Sequence, residues 1–307
     1  MDAITTRGLT KVFGTTRAVD GLELTVTEGE IFGIVGPDGA GKTTTLRLLA
    51  SIMDPTEGDA FILGKHTVRD ADAVKDDIAY MSQRFGLYPD LTVLENLLFY
   101  ADLYGVSRAE RPERIERLLA FSNMTPFKQR RAGNLSGGMK QKLGLACALV
   151  HAPKVLLLDE PTNGVDPVSR RDFWKILADL RADGVTIVVS TAYLDEAERC
   201  DRVGLLHDGK LMAVDTPAGI RKLLPGATLE IRADATRRAA ALLREHVRSE
   251  SIVLFGDRIN LTTRTPETTE AEVRELLARN GIAVESLIAV EPSLENVFVS
   301  LLSGGAS

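Results

Sequence analysis

The chain has 307 residues, 44% of them hydrophobic and 26% charged, which fits one large globular domain plus a smaller one and excludes a disordered or low-complexity protein. Its net charge of -6 gives no global positive field toward nucleic acid or an anionic bilayer, so no nucleic-acid partner is expected. The longest apolar runs, such as Val155 to Leu158, fall far short of the ~20 residues that span a bilayer, so work at a membrane would require docking on an embedded partner.

The opening MDAITTRGLTKVFG lacks the charged-then-apolar order of a signal peptide. Cys147 and Cys200 have no metal-type spacing and fit core filler in a reducing, cytoplasmic setting. Leu22, Leu24 and Val26 alternate in LELTV, a half-buried antiparallel strand. EIFGIVG follows as a continuous apolar strand running into a glycine-rich stretch, and Lys42 to Met53 then carries Leu46, Leu49 and Met53 at helical spacing.

Residues from about 84 to 134 read as a helical insert with no strand of length. Thr92 with Glu95, and Ser107 with Glu110, both fit the capping box, in which each side chain satisfies a free backbone donor. A helix opening at Ser136 carries Met139, Leu143, Ala146 and Val150 on one stripe and must stop before Pro153. The apolar strand VLLL, a helix with Phe173, Ile176, Leu177 and Leu180, and the strand TIVVST come next. Wholly apolar strands alternating with helices predict a mostly parallel sheet covered on both faces, and Asp208-Gly209 predicts a closing hairpin. After Pro217 and Pro225 the order becomes strand, helix, strand, strand, helix, strand, a small split βαβ unit. The expected division is therefore an α/β domain over 1–224, with an antiparallel β subdomain and the helical insert, and a small α+β domain over 225–307.

GPDGAGKT, from Gly36 through Pro37, Asp38, Gly39, Ala40, Gly41 and Lys42 to Thr43, matches G-x-x-x-x-G-K-[ST] between a strand and a helix. Such a loop wraps a phosphate in backbone N-H groups, including those leading to Thr44; Lys42 reaches the terminal phosphates and the Thr43 hydroxyl serves Mg2+. VLLLDE delivers Asp159 to the carboxyl end of a strand, where a metal on the phosphates needs a carboxylate, with Glu160 beside it to polarise a water.

LSGGMKQKL, 135 to 143, resembles the signature sequence of the ABC-type ATPases and stands between the phosphate loop and the Asp-Glu strand, as in that family. Ser136, Gly137 and Gly138 open a helix and so make a second anion-type site. The resemblance covers roughly residues 1 to 220 and implies the P-loop NTPase fold and a head-to-tail dimer, with ATP between the phosphate loop of one copy and the signature of the other. It places Gln83, in YMSQRFGLYPDLTV, as the residue that senses Mg2+ and couples to the membrane partner. It likewise places Phe13 as the aromatic on adenine and Asp166, in NGVDP, in the loop between opposing sites. Asp38 stands where Asn is common, which adds a carboxylate beside the phosphate site.

MSQRFGLYPDLTV, SGGMKQKLGLACALV, STAYLDEAERCDR and the ending PSLENVFVSLL are similar to ATPase subunits of type-2 exporters, including drug-resistance exporters and the tandem YbhF-like members. That resemblance implies an ATP-hydrolysing motor on the inner face of the membrane. Its partners would be permease subunits and a second ATPase subunit, the same chain or another, with the small domain supporting the dimer or regulating it. A non-transport ABC protein acting on the ribosome or nucleic acid is the alternative, although the second cassette and long coiled coil of such proteins are not seen. Most of the family carries a histidine at the position of Ala192, and His66, His151, His207 and His246 are all distant in sequence. The resemblance therefore implies good ATP binding and slow hydrolysis at this chain's own site.

Overall fold

The computed structural model describes residues 1–84, 86–224 and 226–304; Pro225, and Phe85 within the YMSQRFGLYPDLTV stretch, lie outside the described residues. The chain divides into two compact units, Met1–Val214 and Asp215–Ser307.

The first unit begins with β1 (Asp2–Phe13) and β2 (Thr16–Thr27), whose alternating burial puts Leu22, Leu24 and Val26 into the core. The buried strand β3 (Ile31–Val35) leads through the glycine loop into α1 (Lys42–Leu49). Next come β4 (Glu57–Ile62), β5 (Lys65–His66), α2 (Ala71–Asp77) and β6 (Ile78–Met81). The helical part holds α3 (Val93–Leu103), α4 (Arg111–Phe121), two short 3-10 turns (Thr125–Phe127 and Ala132–Asn134) and α5 (Gly137–Ala148). β7 (Val155–Asp159), α6 (Pro167–Ala182), β8 (Thr186–Thr191), α7 (Leu194–Ala197), β9 (Arg202–His207) and β10 (Lys210–Asp215) complete it.

Two sheets result. β2, β1, β4 and β5 form an antiparallel sheet in that order, and β10, β9, β3, β8, β7 and β6 form the second, with β9 through β6 all parallel. This is the α/β fold that the strand pattern predicts. Every residue of β3, β7 and β8 is buried, as a sheet covered on both faces requires. Leu46, Leu48 and Leu49 of α1 share one core with Ile34, Leu157 and Val188. That packing fixes the start of α1 at the carboxyl ends of β3, β7 and β8, where parallel sheets bind ligands.

Two local expectations are corrected. α1 ends at Leu49, short of Met53, and Ser51 just beyond it adopts a left-handed φ of 55°. The Thr92–Glu95 capping box forms, but the Ser107–Glu110 one does not. Backbone N-H groups of Glu110 and Arg111 donate to the Ser107 carbonyl, and α4 starts only at Arg111 with Pro112 in its first turn. A helix begun at Ser107 would need the residue at 112 to donate its N-H to the Arg108 carbonyl, and Pro112 has none, whereas in the first turn of α4 that loss costs nothing. Inside α3, buried Asn96 exchanges hydrogen bonds with Tyr88 N and O and also donates to Thr92 O, pinning the segment after Gln83.

The second unit contains α8 (Pro217–Arg221), β11 (Ala227–Ala233), α9 (Thr236–His246), β12 (Ser251–Phe255), β13 (Arg258–Thr263), α10 (Pro266–Arg279), β14 (Val284–Val290) and α11 (Leu294–Gly304). Its antiparallel sheet has the order β12-β13-β11-β14. Leu229, Ile231, Ile259 and Leu261 meet Ala240 and Leu243 of α9 and Val273 and Leu277 of α10 in a core of its own. α8 packs on α11 within this unit, which is why the structural division at 214/215 precedes the 224/225 boundary read from the sequence.

Candidate nucleotide site

The glycines of the loop are demanded by backbone neighbours. A Cβ on Gly36 would lie 2.1 Å from the Leu206 carbonyl oxygen, and one on Gly41, which has φ 105°, would lie 2.2 Å from the Ala18 carbonyl oxygen. Only a residue without a side chain lets β2 and β9 approach this closely. Gly41 is also the N-cap of α1, and no side chain among the described residues caps that helix, so its first N-H groups are left for a ligand. The β9–β10 turn braces the loop. Gly209 N donates to Ala40 O at 3.0 Å and its carbonyl accepts from Asp20 N at 2.9 Å. Asp208 and Gly209 both adopt positive φ there, 46° and 76°.

Lys42 is only 4% exposed, and its Nζ donates to Gly36 O at 2.8 Å and Pro37 O at 3.0 Å while pairing with Glu160 Oε1 at 3.1 Å. Thr43 donates its hydroxyl to Asp159 Oδ1 at 3.0 Å, Ser190 does the same at 2.8 Å, and Tyr80 donates to Asp159 Oδ2 at 3.2 Å. Burial, and next the Asp159 charge, raise the Tyr80 phenol above its usual pKa, so it stays a donor. Glu160 has a left-handed φ of 47°, with its N-H held by Ser190 O at 3.2 Å and Ser190 Oγ at 3.0 Å. Gln83 Nε2 and Asn163 Nδ2 both donate to Glu160 Oε2 at 3.1 Å. Lys42, Thr43, Gln83, Glu160 and Asn163 line a cleft of about 400 Å³ with Ala18, Asp38, Gly39, Gly41 and Thr44.

The other residues singled out from the sequence lie elsewhere. Phe13 sits at the end of β1, 47% exposed, with Lys11 Nζ 5.4 Å from its ring centroid. Ser136 caps α5 by accepting from Met139 N at 3.3 Å, and Asp166 caps α6 by accepting from Val168 N at 3.1 Å and Ser169 N at 3.0 Å. Gly138 joins the two helix starts, since a Cβ there would lie 2.4 Å from Ser169 Cβ. The Ser169 amide, together with that of Val168, holds the Asp166 carboxyl below its usual range. Among the described residues, Ser136, Gly137, Gly138, Asp166 and Phe13 do not line the cleft.

Ala192 is exposed on the wall of a smaller cavity, about 130 Å³, shared with Asp38, Glu160, Thr162, Asn163, Thr191 and Tyr193. Its loop is rigidly held by Glu196, a 1% exposed carboxylate that sequence reasoning did not single out. Glu196 accepts from Thr162 Oγ1 at 2.6 Å, Thr191 Oγ1 at 2.8 Å and Arg170 Nε at 3.0 Å. Asn163 and Ser190 were likewise not distinguished in the sequence; a hydroxyl ending an apolar strand beside the Asp159 strand was the available signal for Ser190.

The Thr43 hydroxyl and the Asp159 carboxylate it bonds are hard oxygen groups of the kind Mg2+ takes, with few charges, as expected when phosphates supply the rest, and the Gln83 amide stands beside them on Glu160.

The family profile described as "ABC transporter" matches residues 19–163. The probable multidrug ABC transporter ATP-binding protein YbhF of Escherichia coli (strain K12) is 40% identical over 308 residues, covering 99% of this chain but 53% of YbhF, so the chain spans about half the length of that relative. Nod factor export ATP-binding protein I of Rhizobium sp. (strain N33) is 36% identical, with 97% of this chain and 96% of the relative covered. The solved dimeric post-hydrolysis state of the ATP-binding cassette MJ0796, bound to ADP and Pi, superposes with a TM-score of 0.63 at 30% identity, covering 69% of this chain and 98% of the cassette. Among the described residues, no helix is long and apolar enough to cross a membrane.

Proposed function

The chain belongs to the ABC transporter family of ATP-binding proteins, and from that premise we propose that it is the ATP-hydrolysing motor subunit of a membrane exporter of the multidrug or small-molecule type. One observation carries the reading: the Lys42 ammonium holds Glu160 at 3.1 Å, beside Asp159 tied to Thr43 at 3.0 Å. A cation, a hydroxyl and two carboxylates at the mouth of a loop with uncapped N-H groups suit a polyphosphate and a water to attack it.

In this reading the phosphates of ATP take the free N-H groups of α1 and the Lys42 ammonium, which releases Glu160 Oε1. Glu160 then accepts a proton from the water attacking the terminal phosphate. Thr43, Asp159 and Gln83 would hold Mg2+, which would neutralise charge on the phosphate oxygens. The exposed ring of Phe13 offers a face to adenine. Ser136, Gly137, Gly138 and Asp166 act on the ATP of an opposing ATPase subunit, and the solved dimer of a related cassette supports that assembly. Gln83 and the segment up to α3 pass closure to permease subunits of a type-2 exporter, and the relatives named for multidrug transport and Nod factor export support that partner. The chain would then sit on the cytoplasmic face of the membrane through its permease. In tagged, gently detergent-extracted complexes, permease subunits are expected to accompany it; recovery with ribosomes instead would overturn the transport reading.

Glu160→Gln is expected to abolish turnover while ATP binding persists or tightens, because Lys42 loses its competing carboxylate. Retained hydrolysis would remove Glu160 from its assigned role. Ala192 offers no donor to the transferring phosphate, and one such donor contributes about 3–4 kcal/mol to a transition state. This site is accordingly a slow one that a partner bearing the histidine would complement. Ala192→His is expected to raise turnover of the isolated chain; an unchanged rate would sink the slow-site reading.

A further inference from the structure

Resting on the ATPase reading, we infer that Asn163 is the positioning residue of Glu160, and that this chain depends on it because Ala192 presents no donor to their shared cavity. The backbone of Glu160 is fixed by two bonds to Ser190, at 3.2 and 3.0 Å, in a left-handed conformation. Its side chain, with three rotatable bonds, is aimed among the described residues by what donates to the carboxylate: Lys42 to Oε1, Gln83 and Asn163 to Oε2.

These three holds differ. Lys42 is the group a phosphate claims, so its hold on Oε1 ends when nucleotide binds. Gln83 reaches across from an exposed loop after β6, far from Glu160 in sequence. Asn163 lies in the same turn as Glu160, and its own N-H donates to the Glu160 carbonyl at 3.1 Å. That local bond keeps the Asn163 side chain beside the carboxylate whichever way the Gln83 loop moves. Asn163 also lines both the 400 Å³ cleft and the 130 Å³ cavity beside Ala192. In the smaller cavity the hydroxyls of Thr162 and Thr191 are committed to Glu196, and Asp38 and Glu160 are acceptors. Of the side chains lining that cavity, Tyr193 included, Asn163 is the one with a hydrogen bond to the Glu160 carboxylate among the described residues. A side chain placed at 192 with an N-H of its own would enter this cavity and share the task.

The test is steady-state ATPase activity and nucleotide affinity of the full chain carrying Asn163→Ala or Asn163→Asp, each with Ala192 and with Ala192→His. Asn163 is exposed and its turn is held by backbone bonds, so the melting temperature is expected to stay unchanged. Asn163→Ala is expected to lower kcat about tenfold, as misaimed catalytic groups do, with the Kd for ATP kept within about twofold. Asn163→Asp, which keeps the shape and loses the donor, is expected to be no better than alanine. In the Ala192→His background the loss from Asn163→Ala shrinks to less than about threefold. An unchanged kcat in Asn163→Ala, full activity in Asn163→Asp, or an equal loss in both backgrounds would overturn the assignment. Wild-type turnover no higher than that of Glu160→Gln would instead overturn the ATPase reading itself.

Discussion

Two helix starts carry the glycine-rich motifs of this chain, and they are finished differently. α1 opens on Gly41 in a left-handed conformation with no side-chain cap, so its N-terminal donors have no partner supplied by a side chain. α5 opens on Ser136, whose own hydroxyl accepts from Met139 N at 3.3 Å, and it is welded to α6 through Gly138 and Ser169. The first is incomplete until an anion arrives. The second has the Met139 N-H satisfied by its own cap and offers an exposed Ser136 and Gly137 to whatever faces it. A glycine before a helix therefore has two meanings: at α1 Gly36 and Gly41 let backbone segments close in around the loop, while at α5 Gly138 makes room for a neighbouring helix.

The contrast can be broken from the α1 side with the largest effect. Lys42→Ala removes a buried ammonium, and ATP affinity is expected to fall on the order of 100-fold, about 2–3 kcal/mol, in equilibrium binding. Gly138→Ala comes next. Its Cβ would sit 2.4 Å from Ser169 Cβ, and overpacking of this kind costs about 1–3 kcal/mol, so the denaturation midpoint drops while the isolated chain still binds ATP. Ser136→Ala deletes a cap worth about 1 kcal/mol and is expected to leave ATP binding by the single chain unaltered. A fall in that binding would mean that the two helix starts already share one ligand within one copy.

Asp166→Asn has the smallest expected effect, and its pH dependence identifies it. The amides of Ser169 and Val168 depress the folded-state pKa of Asp166, so its ionised form adds stability above the unfolded-state pKa of about 3.9 and loses it as pH falls through the folded value. Denaturation midpoints of wild type and Asp166→Asn are expected to differ at pH 7 and to converge below about pH 4. A gap that persists into acid would assign the difference to something other than the cap.

Much of this was legible in the residues. Strands without polar positions announced a parallel sheet covered on both sides, because only buried β structure tolerates such runs. The capping pairs show where that legibility ends. Thr92–Glu95 and Ser107–Glu110 have the same spacing, yet only the first closes: Pro112 displaced the second helix start, and the Ser107 carbonyl took the Glu110 and Arg111 N-H groups instead. Glu196 could not be distinguished among the acidic residues of LDEAE, since its burial under Thr162, Thr191 and Arg170 comes from three other segments.

By itself the sequence determined the order strand, glycine loop, helix, the carboxylate pair after an apolar strand, and a side chain without a donor at Ala192, because these depend on local conformation and on which atoms a side chain possesses. Only the tertiary structure decided that Gly36 and Gly41 must be glycine, since the opposing carbonyls belong to Leu206 and Ala18. It alone brought Gln83, Lys42 and Asn163 onto the two oxygens of Glu160. The alanine at 192 thus shares a cavity with Asn163, three residues from Glu160, an arrangement set by how β7 and β8 pair, not by the residues around the alanine.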